Sequence, residues 1–141
     1  MTSQLNVDTI VDKAGSGGSN VKMANTSTYV SDGGGVTQNT VQGLIKAWWT
    51  YDQGTTTLED SHNIASLTDN ATGNHTGAFT NSMSATTYAV SGVTESNGII
   101  QVYSDGAKVA ASLRMQTGDG LGSSGVVDYD ECSVMVSGDL A

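Results

Sequence analysis

Alternation of apolar and polar side chains, the period of a half-buried strand, is the recurrent pattern along this chain. It first shows in Leu5-Asn6-Val7-Asp8-Thr9-Ile10-Val11-Asp12, then gives way to Gly15-Ser16-Gly17-Gly18-Ser19 and later to Gly33-Gly34-Gly35. Residues 1–38 therefore read as an extended arm with flexible punctuation. From about Val41 the signals are denser. Val41 to Tyr51 predicts a short helical turn running into a strand that carries Trp48 and Trp49. Neighbours on a strand face opposite ways, so one indole should point inward and the other outward. Asn63 to Thr68 and His75 to Thr80 flank Asp69-Asn70-Ala71-Thr72-Gly73-Asn74, which has the turn residues of a hairpin tip.

Three more strands are expected at Tyr88 to Thr94, Ile99 to Ser104 and Lys108 to Thr117. The last would place Val109, Ala111, Leu113 and Met115 on one face and Ala110, Ser112, Arg114 and Gln116 on the other. Asp119 to Gly125 reads as a glycine-rich loop. Cys132, Val134 and Val136 alternate with Ser133, Met135 and Ser137 in a closing strand. Together these elements predict an all-β chain, an antiparallel β-sandwich of about seven or eight short strands over residues 39–141, preceded by an N-terminal arm.

Composition changes this picture in one respect. Leu, Ile, Val and Phe fill 27 of the 141 positions, whereas Ser, Thr, Asn, Gln and Gly fill 68. So small an apolar supply leaves a lone copy with a poorly filled core, and sharing faces between copies is the expected remedy. The formal net charge is −9 with only five Lys or Arg, which argues against nucleic acid, whose binding requires phosphate neutralisation. No apolar run approaches the roughly 18 to 20 residues of a membrane-spanning helix, so no membrane insertion is expected. Met1-Thr2-Ser3-Gln4 lacks the basic and then apolar regions of a secretory signal. Assembly in a cytoplasm and release by lysis would suit that start. The single Cys132 allows no internal disulfide.

Catalytic patterns are missing from the sequence. There is no Gly-x-Ser-x-Gly elbow, no phosphate loop ending in Gly-Lys-Ser/Thr and no paired-histidine zinc motif. Gly118-x-Gly120-x-Gly122 reads as turn chemistry, and His62 and His75 lack an obvious third ligand. Asp128-Tyr129-Asp130-Glu131 could present hard oxygens to calcium, but it lacks EF-hand spacing, and a solvated acidic turn is the preferred reading. No enzyme, metal or cofactor is expected.

The central block Ala47-Trp48-Trp49-Thr50-Tyr51-Asp52-Gln53-Gly54-Thr55, continuing from Glu59 through Asn74 to Met83 and then Thr87-Tyr88-Ala89-Val90, resembles a module of tail fibre and related virion proteins of marine bacteriophages. The opening Leu5 to Gly15 is similar to the first residues of many such fibres. The resemblance implies a homotrimer in a virion, with host-surface glycans as ligands. On that footing Asp69, Asn70, Thr72 and Asn74 are the expected receptor-binding groups, since an exposed tip would offer amides, a hydroxyl and a carboxylate to sugar hydroxyls; the same residues equally serve to make the turn. Leu5, Val7, Ile10 and Val11 are expected to anchor the arm to other virion proteins by strand addition. A tail fibre or fibre tip is the first reading, and a capsid decoration, head-fibre or cement protein the alternative.

Overall fold

A computed structural model of the chain describes residues 27–30, 37–120 and 125–140. The chain divides into two units, Met1–Val41 and Gln42–Ala141. In the first, β1 (Thr28–Val30) and β2 (Thr37–Asn39) pair antiparallel, with Thr28 opposite Asn39 and Val30 opposite Thr37. Thr40 N donates to Ser27 O at 2.9 Å beside them. The arm residues Leu5, Val7, Ile10 and Val11 lie outside the described residues, as do both glycine clusters at 15–19 and 33–35.

Among its described residues the second unit holds nine strands: β3 (Ile45–Asp52), β4 (Thr57–His62), β5 (Ile64–Ala71), β6 (Asn74–Phe79), β7 (Ala89–Thr94), β8 (Gly98–Val102), β9 (Lys108–Val109), β10 (Ser112–Asp119) and β11 (Cys132–Ser137). Every pairing is antiparallel, and no helix occurs among the described residues. One sheet has the order β4-β3-β11-β7. The other has the order β5-β6-β10-β8, with β9 against the start of β10. The two sheets face each other across one core, the arrangement of a β-sandwich.

Alternation decides which side chains enter that core. Ala47, Trp49 and Tyr51 point in from β3, Cys132, Val134 and Val136 from β11, Leu113 and Met115 from β10, and Phe79 from β6, all buried. Full burial of an aliphatic such as Leu113 or Val134 contributes about 2 kcal/mol. Trp48 lies half-buried on the outer face while Trp49 is buried, as strand geometry requires. The largest side chain is matched by the smallest: a Cβ on Gly77 of β6 would stand 3.1 Å from the Trp49 ring. Glycine there lets the indole lie against the opposite sheet.

Asn63 makes the step from one sheet to the other. It adopts φ 60°, a left-handed conformation that Asn tolerates better than most residues. Its Nδ2 donates to the carbonyls of Lys46 and Asn81, both at 3.0 Å, and its Oδ1 accepts from Asn81 N at 2.7 Å.

Several sequence expectations are corrected. Val41 to Leu44 is a run of turns, with no helical turn. The stretch Lys108 to Thr117 is two strands, because Ala110 and Ala111 form a two-residue reversal that pairs Val109 with Ser112. Val109 is consequently 43% exposed instead of sharing the buried face of Leu113 and Met115. The reversal is held by neighbouring chain, Phe79 N donating to Ala111 O and Met83 N to Ala110 O, each at 2.8 Å. β4 was not expected at all, and with β9 it brings the count to nine. The hairpin tip is only Thr72 and Gly73, because a bulge between Asp69 and Ala71 keeps those residues in β5.

Candidate functional site

The outer face of the five-stranded sheet is polar. Thr76 of β6 stands between Thr68 of β5 and Arg114 of β10 in one cross-strand row. In the next row Gln116 of β10 lies opposite Gln101 of β8, and Gln101 Nε2 donates to Gln116 Oε1 at 3.1 Å. Beyond β8 the chain turns at Ser104–Ala107, where Ala107 N donates to Ser104 O at 3.1 Å and Gly106 takes φ 83°. A positive φ at the third position of such a turn is where glycine is needed. Two backbone bonds tie this turn to Arg114: Tyr103 N donates to Arg114 O at 3.1 Å, and Arg114 N to Ala107 O at 3.0 Å.

The turn, β5, β6 and β10 enclose a shallow depression of about 340 Å³, lined by Asn70, Thr76, Tyr103, Asp105, Ser112 and Arg114 among others. The Arg114 guanidinium stacks on the Tyr103 ring, 4.0 Å from its centroid. Arg114 Nε donates to Asn74 Oδ1 at 2.6 Å. Asn70 Nδ2 donates to Thr76 Oγ1 at 2.8 Å and to Thr68 O at 3.3 Å. An aromatic ring bordered by amide, hydroxyl and guanidinium groups is the chemistry that recognises saccharides, through ring stacking and hydrogen bonds to hydroxyls.

Of the four tip residues named from sequence, Asp69, Asn70 and Thr72 are exposed. Only Asn70 lines the depression. Asn74 is a correction, because it is 4% exposed and spent on positioning Arg114. Asp69 lies opposite His75, with its Oδ1 3.7 Å from His75 Nε2. Sequence reasoning missed Tyr103 and Arg114. The available signal was that Arg114 is the only arginine in a chain of net charge −9.

The other singled-out residues have structural partners. His62 is exposed on β4 opposite Trp48, while His75 is buried in the core, so the two histidines do not converge. His75 Nδ1 lies 3.1 Å from Gln53 Nε2. Gln53 Oε1 in turn accepts from Thr117 Oγ1 and Tyr129 N, both at 2.9 Å, and from Cys132 Sγ at 3.3 Å. Asp128 Oδ1 accepts from Gly73 N at 2.6 Å, Tyr129 is buried, and Asp130 N donates to Glu95 Oε1 at 2.9 Å. The acidic segment thus latches the hairpin tip. Among the described residues no group of three or more His, Cys, Asp or Glu is placed to hold a metal ion, and no helix is long and apolar enough to cross a membrane.

Burial pushes the Cys132 thiol up from about 9 to about 12, with nearby carboxylates adding to the shift. Burial first, and then Cys132, also raises the Tyr51 hydroxyl above its ordinary value. Both groups stay neutral in the folded protein after the unfolded chain has begun to ionise. Their contribution to stability is full below about pH 9 and is lost as the pH rises toward 12. We expect the urea midpoint to fall clearly between pH 8 and about pH 10.5, and native Cys132 to resist thiol reagents until denaturant is added. A flat midpoint across that window would contradict the burial of these two groups.

The fold and site place the chain in a class, an all-β protein of two facing antiparallel sheets with a shallow polar depression on the outer face of one of them. No protein-family model, curated protein or solved structure matches the chain.

Proposed function

We propose that this protein is a structural component of a bacteriophage particle, a tail fibre or fibre tip that attaches through residues 1–38 and contributes to binding glycans on the host surface. The observation that carries the glycan reading is the depression around Asn70, Tyr103 and Arg114, where an aromatic ring and hydrogen-bonding groups meet on a solvent-facing sheet. The resemblance of Ala47 to Met83 to virion fibre modules supplies the particle context. The reading has no catalytic step, no cofactor, no nucleic-acid partner and no membrane insertion, and it puts the protein on the virion after assembly in the host cytoplasm.

The proposal includes self-association, as a homotrimer. Its support is the outer face of the four-stranded sheet, where Ile45, Trp48, Val93 and Met135 line a shallow depression of about 380 Å³. Val93 is 65% exposed and Ile45 and Met135 about half exposed, and such a patch is seldom left bare on a soluble surface. Its lining, which includes Thr50, Ser91 and Ser133, carries no charge. Three copies of the same neutral face can therefore converge on a three-fold axis without like charges meeting at the contact, although each chain carries a net charge of −9. The same face is the feature that favours the alternative of a capsid decoration, head-fibre or cement protein. Copy number per particle separates that role from a tail fibre.

Velocity sedimentation of the full chain, alone and with extracted bacterial surface polysaccharides, tests the proposal. The wild type is expected to run as an oligomer and to co-sediment with at least one polysaccharide. Met135→Glu, which buries a carboxylate in the contact, should shift it to monomer. A wild type that is monomeric at micromolar concentration would remove the trimer, and failure to bind any polysaccharide would remove the glycan reading.

A further inference from the structure

The sole arginine of the chain is held from several sides. Arg114 is fixed on one face by the Tyr103 ring and at Nε by Asn74, itself buried. Its backbone N–H and C=O are both bonded to the 103–107 segment. No carboxylate forms an ion pair with it among the described residues, although Asp105 lines the same depression. Its two Nη groups make no hydrogen bond among the described residues. A guanidinium stacked and anchored in this way has lost the rotamer freedom that a surface arginine would give up on binding, and its remaining edge is a planar fork. Beside it, Asn70 Oδ1 is not used as an acceptor within the described residues, since the bonds of that amide run from Nδ2.

We propose that the depression takes an acidic sugar, a uronic acid whose planar carboxylate pairs with the Nη edge of Arg114 while Asn70 Oδ1 accepts from a neighbouring hydroxyl. This inference rests on the glycan reading above and narrows its ligand class. Carboxylate fits better than neutral sugar because a neutral ligand would cover the guanidinium and leave its charge unpaired. The rest of the molecule opposes rather than assists. A net charge of −9 repels an acidic polymer at long range, and salt screens that repulsion within about 8 to 10 Å at 0.1 to 0.15 M. Binding through the local pair should therefore hold or strengthen between low and moderate salt, whereas adventitious adsorption to basic groups weakens.

The test is titration of the full chain, by calorimetry and by NMR, with a short oligoglucuronate and with the same oligosaccharide after reduction of its carboxyl groups. The wild type is expected to bind the acid form about tenfold more tightly, with the largest shifts at Tyr103, Arg114 and Asn70. Arg114→Gln should abolish the preference, and Arg114→Lys, which keeps the charge but not the fork, should reduce it severalfold. The wild-type comparison needs no variant and so is untouched by any loss of stability in Arg114→Gln. Equal binding of acid and reduced forms would overturn the uronic-acid assignment and leave the glycan reading standing. Binding of sulfated but not carboxylated oligosaccharides would also overturn it. Binding of none, neutral sugars included, would overturn both.

Discussion

Gly73→Ala is expected to cost about 3 to 4 kcal/mol and to lower Tm by roughly 15 to 25 °C for a unit of this size. Gly73 sits at φ 64°, where an L side chain costs about 1 kcal/mol or more. A Cβ there would also stand 2.7 Å from Thr117 O and 2.9 Å from Val127 N. Both are backbone atoms and cannot swing aside. They belong to a tight knot in which Thr117 N donates to Gly73 O at 2.8 Å and Thr117 Oγ1 to Val127 O at 2.7 Å. Moving one segment breaks bonds on the other two. Asp128→Asn is the milder control, since it weakens only the 2.6 Å bond from Gly73 N and should cost about 1 to 2 kcal/mol. Thermal unfolding of the three proteins measures the difference. An alanine variant melting within a few degrees of the wild type would mean that the tip is not packed against residues 126–128.

Gln53→Leu is the second large expectation, a loss of about 3 to 5 kcal/mol. Gln53 is 2% exposed, and its amide joins the β3–β4 turn to β6, β10, the segment before β11 and the first residue of β11 through four contacts. Leucine fills the space but leaves Tyr129 N without its acceptor and His75 Nδ1 without its partner. Each stranded buried group costs about 1 to 3 kcal/mol. Thr117 suffers less, because its hydroxyl also reaches Val127 O. Chemical denaturation reports the loss. Gln53→Glu separates hydrogen bonding from shape: burial raises a carboxyl above its unfolded value, so that variant should be most stable in acid, when protonated, and lose stability as the pH rises through neutrality. A leucine variant as stable as the wild type would show that hydrophobic packing alone fills this position.

Much of the fold was legible because alternation is a local signal. The β11 pattern of Cys132, Val134 and Val136 inward and Ser133, Met135 and Ser137 outward emerges as read, and so does the division of Trp48 from Trp49. What failed had non-local causes. β4 carries one large apolar residue, Leu58, in Thr57-Leu58-Glu59-Asp60-Ser61-His62, and it is a strand because β3 offers it a ladder. Its Glu and Asp are the charges expected on an exposed edge. The break at Ala110-Ala111 carries no Gly, Asn or Pro and is set by the chain packed on it, Phe79 and Met83. Asp69 and Asn74 are turn formers and so read as a loop, yet a bulge and a buried bond to Arg114 absorb them.

The candidate site shows the same division more sharply. Asn70 was reachable as a polar residue near a turn, but Tyr103 and Arg114 lie far from it in the chain, and no spacing rule joins the three. By itself the sequence determined the strand-rich class, the inward and outward sets on most strands, and the acidic, arginine-poor charge balance, all of which depend on residue type and a period of two. Tertiary structure alone decided which strands became neighbours, which turn former was buried, and that the one arginine came to rest on an aromatic ring beside Asn70. Those outcomes depend on distances between residues remote in sequence, and such distances are set only when two sheets close over a common core.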